Sequence, residues 1–307
     1  MSLPLEKIKA SLEDGLLSFP ITDLDKDGKF NPDSYAARLE WFVSHKVSSV
    51  FVAGGTGEFF SLSESEYKQV VAVTAATVKE KIPMISSVGR SIPDAIAYAQ
   101  IAEKAGMNAL LLMPPYLTEC PEEGTYQYAK TIMDNTSLPV IYYNRANGVL
   151  SSKYIQQLAD NCDNFIALKD GTGNIQELND TIKSVGNRLS YIGGVPTAEI
   201  IAEAYLSIGV NTYSSAVFNF VPELANLFYA SLRAGNKESV TRIIKDFFIP
   251  FVRLRSKKNG YAVSLIKAGA NIIGRSAGDT RAPLTMPAAE DIALLDQLIQ
   301  RSTSLLT

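Results

Sequence analysis

Short apolar runs alternate with longer amphipathic stretches from the beginning to the end of the chain. Eight of these runs are rich in β-branched and aromatic residues, and they begin about 20 to 35 residues apart. That spacing accommodates a strand, a helix and two connecting loops in each repeat, so the pattern predicts eight βα units. The predicted strands cover Leu16–Ile21, Ser48–Ala53, Met84–Val88, Ala109–Met113, Val140–Tyr143, Phe165–Leu168, Leu189–Ile192 and Val210–Tyr213.

Helix-capping signals occur between the predicted strands. Ser63–Glu66 and Ser91–Asp94 both have the spacing of a capping box, and the second carries a proline in its first turn. The alanine-rich stretch that follows Asp94 stops at Gly106, a residue type that commonly terminates helices. These signals place helices between successive strands.

Strands that are apolar throughout are typical of a parallel sheet with helices on its faces. Eight such repeats close most simply into a (β/α)8 barrel. A doubly wound open sheet agrees less well, because eight evenly spaced units exceed its usual strand count. We therefore predict an α/β fold, a (β/α)8 TIM barrel over residues 1–235 with a C-terminal helical extension.

The extension, residues 236–307, has helical periodicity and no strand-like run. Helices are predicted over Glu238–Arg255, Tyr261–Ile273 and Pro287–Leu305. Because no linker or low-complexity segment separates it from the barrel, we expect the extension to pack on the barrel as part of one structural domain.

The amino-acid composition limits the kinds of binding and catalysis that the chain can carry out. The 307 residues are 46% hydrophobic, which is typical of a globular protein, and a net charge of -3 argues against nucleic-acid partners and anionic membranes. One histidine and two cysteines are too few for a histidine-rich metal site, a zinc ribbon or a disulfide framework. We therefore expect no metal site, and chemistry based on lysine, tyrosine, hydroxyls, carboxylates and backbone amides.

Targeting signals are not visible. The segment Met1–Lys9 lacks the apolar region of a signal peptide, and no uncharged apolar stretch of about 18 residues occurs. We expect a cytoplasmic protein without a membrane partner, in which Cys120 and Cys162 are free thiols.

Four features of the sequence resemble known functional elements but do not support the corresponding functions. Asp23–Gly28 matches the first half of an EF-hand loop, but position twelve is Ser34 instead of the bidentate glutamate. Gly54–Gly57 lacks the spacing of the common nucleotide-binding loops. His45, the sole histidine, ends a helical run and is expected at the surface. The basic run Arg253–Lys258 is interpreted as a solvated helix face.

Unusual residues follow the predicted strands at the ends where active sites of such barrels lie. After the second strand, Gly54–Glu58 contains three glycines and a threonine, whose amides can converge on an anion or simply form a tight turn. In the fifth strand Tyr142 and Tyr143 point to opposite sides, so only one of them can face the barrel mouth.

Lys169 directly follows the sixth predicted strand. A lysine at that point must be ion-paired, or have its pKa lowered by desolvation. With a lowered pKa it is an amine nucleophile that can form a Schiff base with a carbonyl substrate. Two interpretations therefore stay open from the residues alone, an ion pair with Asp170 or Glu58 and a Schiff-base lysine.

With these residues the chain resembles the N-acetylneuraminate lyase / dihydrodipicolinate synthase superfamily of Schiff-base-forming barrels, over nearly its whole length. Within that superfamily it looks most like the 5-dehydro-4-deoxyglucarate dehydratases. The segments that carry the resemblance are Leu17–Thr22, Asp27–Asn31, Gly54–Glu58, Tyr142–Gly148, Lys169–Asn174, Gly193–Gly194 and Arg281–Leu284.

Departures from the synthases favour the same branch. The Thr-Thr pair of the synthases is Gly55-Thr56 here, and Leu117 stands where the synthases have a second tyrosine after Pro115-Tyr116. Since that tyrosine takes part in the proton relay of the synthases, its replacement argues against synthase activity.

The resemblance implies a 2-oxo sugar diacid substrate and no cofactor. Its C1 carboxylate would bind the amides around Gly55, Thr56 and Gly57. Lys169 would form the imine, and Tyr143 would relay protons. Loss of water and of CO2 would then yield 2,5-dioxopentanoate, as in sugar-acid catabolism.

Further substrate-binding residues follow from the same resemblance. Arg145 is the predicted ligand of the distal carboxylate, with an exposed loop arginine as the alternative. Ser214 and Ser215 would hold substrate hydroxyls, unless they are ordinary loop serines. Asn144 would orient substrate or stabilise its turn, and Gly193 completes the predicted site.

Two other functions remain open. One is an aldolase or lyase for another 2-oxo acid, which shares the imine and differs at the distal end of the substrate. The other is a non-catalytic barrel that binds sugar acids. The resemblance also implies a homo-oligomer, commonly a tetramer.

Overall fold

The computed structural model describes residues 3–116 and 119–306. It contains eight parallel strands in the order β1 to β8, so the predicted eight βα units are confirmed. The strands are β1 Leu17–Ser18, β2 Ser49–Val52, β3 Met84–Arg90, β4 Ala109–Pro115, β5 Val140–Asn144, β6 Phe165–Asp170, β7 Ser190–Gly193 and β8 Thr212–Tyr213.

The sheet closes on itself. Leu17 forms a parallel bridge with Ser214, and the Ser215 N–H donates to the Leu17 carbonyl at 2.9 Å. This contact joins the first strand to the last and confirms the barrel over the open doubly wound sheet.

The first strand is shorter than predicted. Only Leu17 and Ser18 pair with β2. Pro20 has no N–H to continue the ladder, and the Ile21 N–H donates to the Asn219 side chain instead. The chain therefore leaves the sheet where the apolar pattern alone predicts that it continues.

Alternate strand positions separate two apolar layers. One cluster fills the barrel interior, and a larger one lies between the strands and the helices. The N-terminal helix α1 (Leu5–Ser11), which the sequence pattern did not predict, contributes Ile8 to the interior cluster, joined there by Leu12. This segment closes the barrel at the amino ends of the strands.

The helices alternate with the strands as predicted. Ser63 and Glu66 form both bonds of a capping box, whereas Ser91 makes only the side-chain bond to the Asp94 N–H. Gly106 ends its helix with a φ of 85°. The barrel helices are α2 Pro32–Ser44, α3 Glu64–Val78, α4 Ile92–Ala105, α5 Glu122–Asp134, α6 Ser152–Asn161, α7 Ile175–Val185, α8 Ala202–Ser207 and α9 Pro222–Arg233.

Four further helices follow α9. A π-helical turn, Ile244–Phe248, connects the first two. The helices are α10 Lys237–Ile243, α11 Ile249–Arg255, α12 Tyr261–Ile272 and α13 Ala289–Ser304. This group of helices contacts the carboxyl ends of the strands: the buried side chain of Lys267 in α12 forms an ion pair with Glu58, which follows β2, at 2.6 Å.

Two of the features that resemble functional elements have structural roles. The Asp25 carboxylate accepts hydrogen bonds from the Asp27 and Lys29 N–H groups and forms a tight turn. His45 caps α2 at the protein surface, where its ring contacts the Trp41 carbonyl and Glu223. In the part of the chain that the structure describes, no helix is long and apolar enough to cross a bilayer.

Candidate active site

A cavity of about 1210 Å³ opens at the carboxyl ends of the strands. Its walls come from the carboxyl ends of the strands, from the loops that follow most of them, and from helices α4, α5, α11 and α12. Four cationic side chains but one carboxylate, that of Asp94, are among the described residues that line it. The cationic residues are Arg90, Arg145, Lys169 and Arg255. This balance favours an anionic ligand.

Lys169 lies near the end of β6 and is buried inside the barrel mouth. Its Nζ donates to the Gly194 carbonyl at 3.2 Å and lies 3.6 Å from the centre of the Tyr143 ring. No carboxylate lies within 4.0 Å of Nζ among the described residues. Lys169 is therefore buried without an ion pair.

The predicted alternative, an ion pair with Asp170 or Glu58, is wrong. The Asp170 carboxylate accepts bonds from Tyr205 and from the Thr172 hydroxyl. Glu58 is paired with Lys267. Neighbouring strand residues point to opposite faces, so Asp170 cannot share the inward side of Lys169.

Burial lowers the pKa of Lys169, and the positive charge of Arg145 contributes in the same direction. Tyr143 opposes this change, but the pKa stays below the usual value for lysine. A larger fraction of Lys169 than of an exposed lysine is therefore in the neutral, nucleophilic form near neutral pH.

Tyr143 is the tyrosine of β5 that faces the cavity. Its hydroxyl donates to the Gly194 carbonyl at 2.9 Å and accepts a bond from Arg145 Nη1 at 2.8 Å. Burial raises the pKa of Tyr143, but the charges of Lys169 and Arg145 outweigh that effect and lower it. Tyr142 faces outward and donates to the Gly148 carbonyl at 2.5 Å, as the period of two predicts.

Gly194 is a site residue that the sequence prediction missed by one position. Its carbonyl accepts from both Lys169 and Tyr143. A Cβ at Gly194 would lie 2.5 Å from the Lys169 Nζ, so no larger residue fits without moving the amine. Gly193, the predicted residue, packs instead against the ring of Tyr205 and the Cβ of Tyr213.

The glycine-rich loop after β2, residues 54–57, packs tightly against the protein on one side and faces the cavity on the other. Gly54 lies against the Phe19 ring, where a Cβ would approach to 2.6 Å. Gly55 and Thr56 line the cavity, whereas Gly57 lies behind it and accepts a bond from Thr22. Among the described residues, the backbone N–H groups of positions 55–57 have no hydrogen-bond partner. They are available to an anion.

The remaining predicted residues divide between cavity and scaffold. Ser214 lines the cavity, but the buried Ser215 hydroxyl donates to Glu199. Asn144 exchanges two bonds with the Leu150 backbone and so stabilises its turn. Leu117 lies outside the described residues.

The interpretation of Arg253–Lys258 as a solvated face is wrong for Arg255. Arg255 lines the cavity and donates from Nη1 to the Pro196 carbonyl and to Thr197 Oγ1, at 2.7 and 2.5 Å. Its position four residues after buried Phe251 places both on one helix face. That spacing was the available sequence signal.

The comparisons with known proteins agree with this geometry. The model of the dihydrodipicolinate synthetase family matches residues 13–301. A protein of Pseudomonas putida named 5-dehydro-4-deoxyglucarate dehydratase is 43% identical over 296 residues, which is 96% of this chain and 98% of that protein. A protein of Acinetobacter baumannii (strain AB307-0294), named a probable 5-dehydro-4-deoxyglucarate dehydratase, is 46% identical over 292 residues, or 94% and 96% of the two chains.

A similar structure has also been solved. The crystal structure of dihydrodipicolinate synthase from Bacillus clausii superimposes with a TM-score of 0.89 at 26% identity, covering 96% of this chain and 99% of that one. The superfamily and the dehydratase branch expected from the sequence motifs are thus confirmed.

Proposed function

The chain belongs to the dihydrodipicolinate synthetase family, and on that basis we propose that it is a decarboxylating 5-dehydro-4-deoxyglucarate dehydratase. The observation that carries the chemistry is Lys169, a buried lysine that has no ion pair among the described residues and whose neighbour is the Tyr143 hydroxyl. The names of the relatives that are 43% and 46% identical support the substrate.

The first part of the proposed reaction forms an imine. The C1 carboxylate of the 2-oxo acid binds the N–H groups of Gly55 and Thr56, which line the cavity and have no hydrogen-bond partner among the described residues. The Lys169 Nζ attacks C2, and the oxygen of C2 leaves as water. Tyr143 supplies and accepts the protons, since its hydroxyl lies beside the Lys169 amine and its lowered pKa makes the exchange easy.

The second part uses the protonated imine as an electron sink. Removal of a C3 proton gives an enamine, which expels the C4 hydroxyl as water and leaves a C3–C4 double bond conjugated with the imine. Cleavage of the C5–C6 bond releases CO2, and its electron pair flows through the conjugated system to the nitrogen. Reprotonation and hydrolysis by one water give 2,5-dioxopentanoate and free Lys169.

Borohydride trapping tests the imine. The enzyme is incubated with pyruvate and sodium borohydride, and the modified peptide is identified by mass spectrometry. We expect a reduced adduct on Lys169 and none on Lys267, a buried lysine that Glu58 holds by an ion pair. Lys169→Ala should retain the fold and lose the adduct and all turnover. An unmodified Lys169 would refute the Schiff-base mechanism.

A product assay tests the substrate. Incubation with 5-dehydro-4-deoxyglucarate should release one CO2 for each 2,5-dioxopentanoate formed. Release of pyruvate without CO2 would identify an aldolase for another 2-oxo acid. Binding without an adduct or a product would identify a non-catalytic sugar-acid-binding barrel.

We also propose a cytoplasmic homo-oligomer. The resemblance to the superfamily supports the oligomer. The unpaired thiols of Cys120 and Cys162 are compatible with a reducing compartment. Light scattering at working enzyme concentrations measures the assembly, and a monomer would contradict it.

A further inference from the structure

Arg255 is a cationic residue of the cavity wall to which the proposed reaction gives no role. It is the last residue of α11, in the C-terminal extension, and it is only partly exposed. Burial lowers the pKa of its guanidinium, against the attraction of Glu199. A partly buried guanidinium without a counter-ion is costly, and a bound anionic ligand would offset that cost.

One edge of the guanidinium is held and the other is free. Both hydrogens of Nη1 are used, because Nη1 donates to the Pro196 carbonyl and to Thr197 Oγ1. Among the described residues, Nε and Nη2 have no hydrogen-bond partner. These two nitrogens form the edge that binds a carboxylate with two parallel bonds.

The anchor of this arginine is itself strained. Thr197 has a φ of 56°, in the left-handed region that a β-branched residue rarely adopts. Such a backbone is retained where the surrounding structure needs it. In this strained conformation Thr197 places its Oγ1 where it accepts a bond from Arg255, and that bond helps to orient the guanidinium.

Arg255 forms no ion pair with a carboxylate of the described residues. Within 4.0 Å of its nitrogens the described residues place no carboxylate. The nearby carboxyl of Glu199 accepts a bond from Ser215, and burial raises its pKa to about 7, so it is partly protonated at neutral pH. The positive charge of Arg255 is therefore available to a ligand.

Arg145 is already engaged elsewhere. Its Nη1 donates to the Tyr143 hydroxyl, and its guanidinium carbon lies 5.7 Å from the centre of the same ring. That contact places its charge beside the imine-forming groups. The carboxylate at the far end of a six-carbon substrate lies four bonds beyond the imine carbon, so a cationic residue outside the Tyr143 contact is the better candidate to bind it.

We propose that Arg255 binds the distal carboxylate of the substrate and determines the preference for 2-oxo diacids, whereas Arg145 acts through Tyr143 as a positioning residue. This assignment rests on the proposed Schiff-base function. Because the distal carboxylate leaves as neutral CO2, its bond to Arg255 stabilises the bound substrate more than the decarboxylation transition state. Its removal should therefore raise KM without lowering kcat.

The experiment uses two six-carbon acids that differ only at the distal end. 2-Oxoadipate carries the second carboxylate and 2-oxohexanoate does not, and neither has the C4 hydroxyl needed for turnover. The concentration that gives half-maximal borohydride trapping at Lys169 is measured for each acid. Wild-type, Arg255→Gln, Arg255→Lys and Arg145→Gln enzymes are compared, and their thermal unfolding is recorded.

We expect Arg255→Gln to raise the half-maximal concentration about 10- to 100-fold for 2-oxoadipate and less than about 2-fold for 2-oxohexanoate. Arg255→Lys should show a smaller selective loss, and Arg145→Gln should weaken trapping of both acids alike. Equal effects of Arg255→Gln on both acids, or a selective loss in Arg145→Gln instead, would overturn the assignment. Absence of any adduct in the wild-type enzyme would instead overturn the proposed function itself.

Discussion

The ion pair between Lys267 and Glu58 offers a quantitative test of how the helical extension supports the site. The two side chains are 0% and 1% exposed, and Lys267 Nζ lies 2.6 Å from Glu58 Oε1. Glu58 directly follows the glycine-rich loop, and its second oxygen accepts a bond from the Arg281 N–H. Lys267→Met removes the positive charge at nearly constant volume and leaves the carboxylate buried.

The cost follows from that burial. Leaving one member of a buried pair without its partner destabilises a protein by about 3–5 kcal/mol. Unfolding entropy near 60 °C is about 2.1 cal/mol/K per residue, so for this chain of 307 residues a loss of 4 kcal/mol lowers Tm by about 6 °C. Since the unpaired carboxylate also disturbs the adjacent loop, KM for 2-oxo acids should rise.

Differential scanning calorimetry at pH 7 measures the change. Lys257→Met is the matched control, because Lys257 pairs with Asp291 but its side chain is 47% exposed, and we expect its Tm to stay close to that of the wild type. The double variant Glu58→Gln/Lys267→Met removes both charges and should recover more than half of the loss. A Tm drop below 2 °C for Lys267→Met, or a double variant as unstable as the single one, would refute the reasoning.

Two further predictions concern the reaction centre. Gly194→Ala places a methyl group 2.5 Å from the Lys169 Nζ, so pyruvate trapping should slow by about 100-fold or more while the fold is retained; trapping at the wild-type rate would show that the amine does not need this position. Arg145→Gln removes a charge that lowers the pKa of both Lys169 and Tyr143, so the acidic limb of the trapping rate should move to higher pH; a profile that is unchanged or moves to lower pH would contradict this coupling.

Much of the architecture could be predicted from local patterns. Apolar runs of β-branched residues mark the strands because the strands of a parallel barrel are covered on both faces. The capping residues Ser63 and Gly106 mark helix ends because their effect is confined to one turn. The N-terminal helix α1 escaped prediction because it spans only seven residues and its apolar face is short.

The candidate site was predicted where its members end consecutive strands. Lys169 and Tyr143 come together because the carboxyl ends of neighbouring parallel strands meet at one rim, and their register pairs them directly. Gly194 was missed by one residue because the alternation of faces depends on the exact strand end, which apolar pattern alone does not define. The same limit applies to Ser214, which lines the cavity, and Ser215, which does not.

By itself, the sequence determined the strand count, the barrel class, the scarcity of histidine and cysteine, and the candidacy of Lys169. Those properties depend on residue type and spacing over short stretches. Only the tertiary structure decided that Lys169 has no carboxylate partner in the described part of the chain, that Glu58 pairs with Lys267, and that Arg255 faces the cavity. Each of these outcomes depends on contacts between residues far apart in the chain, and the folded barrel sets the partner and the desolvation of every charge.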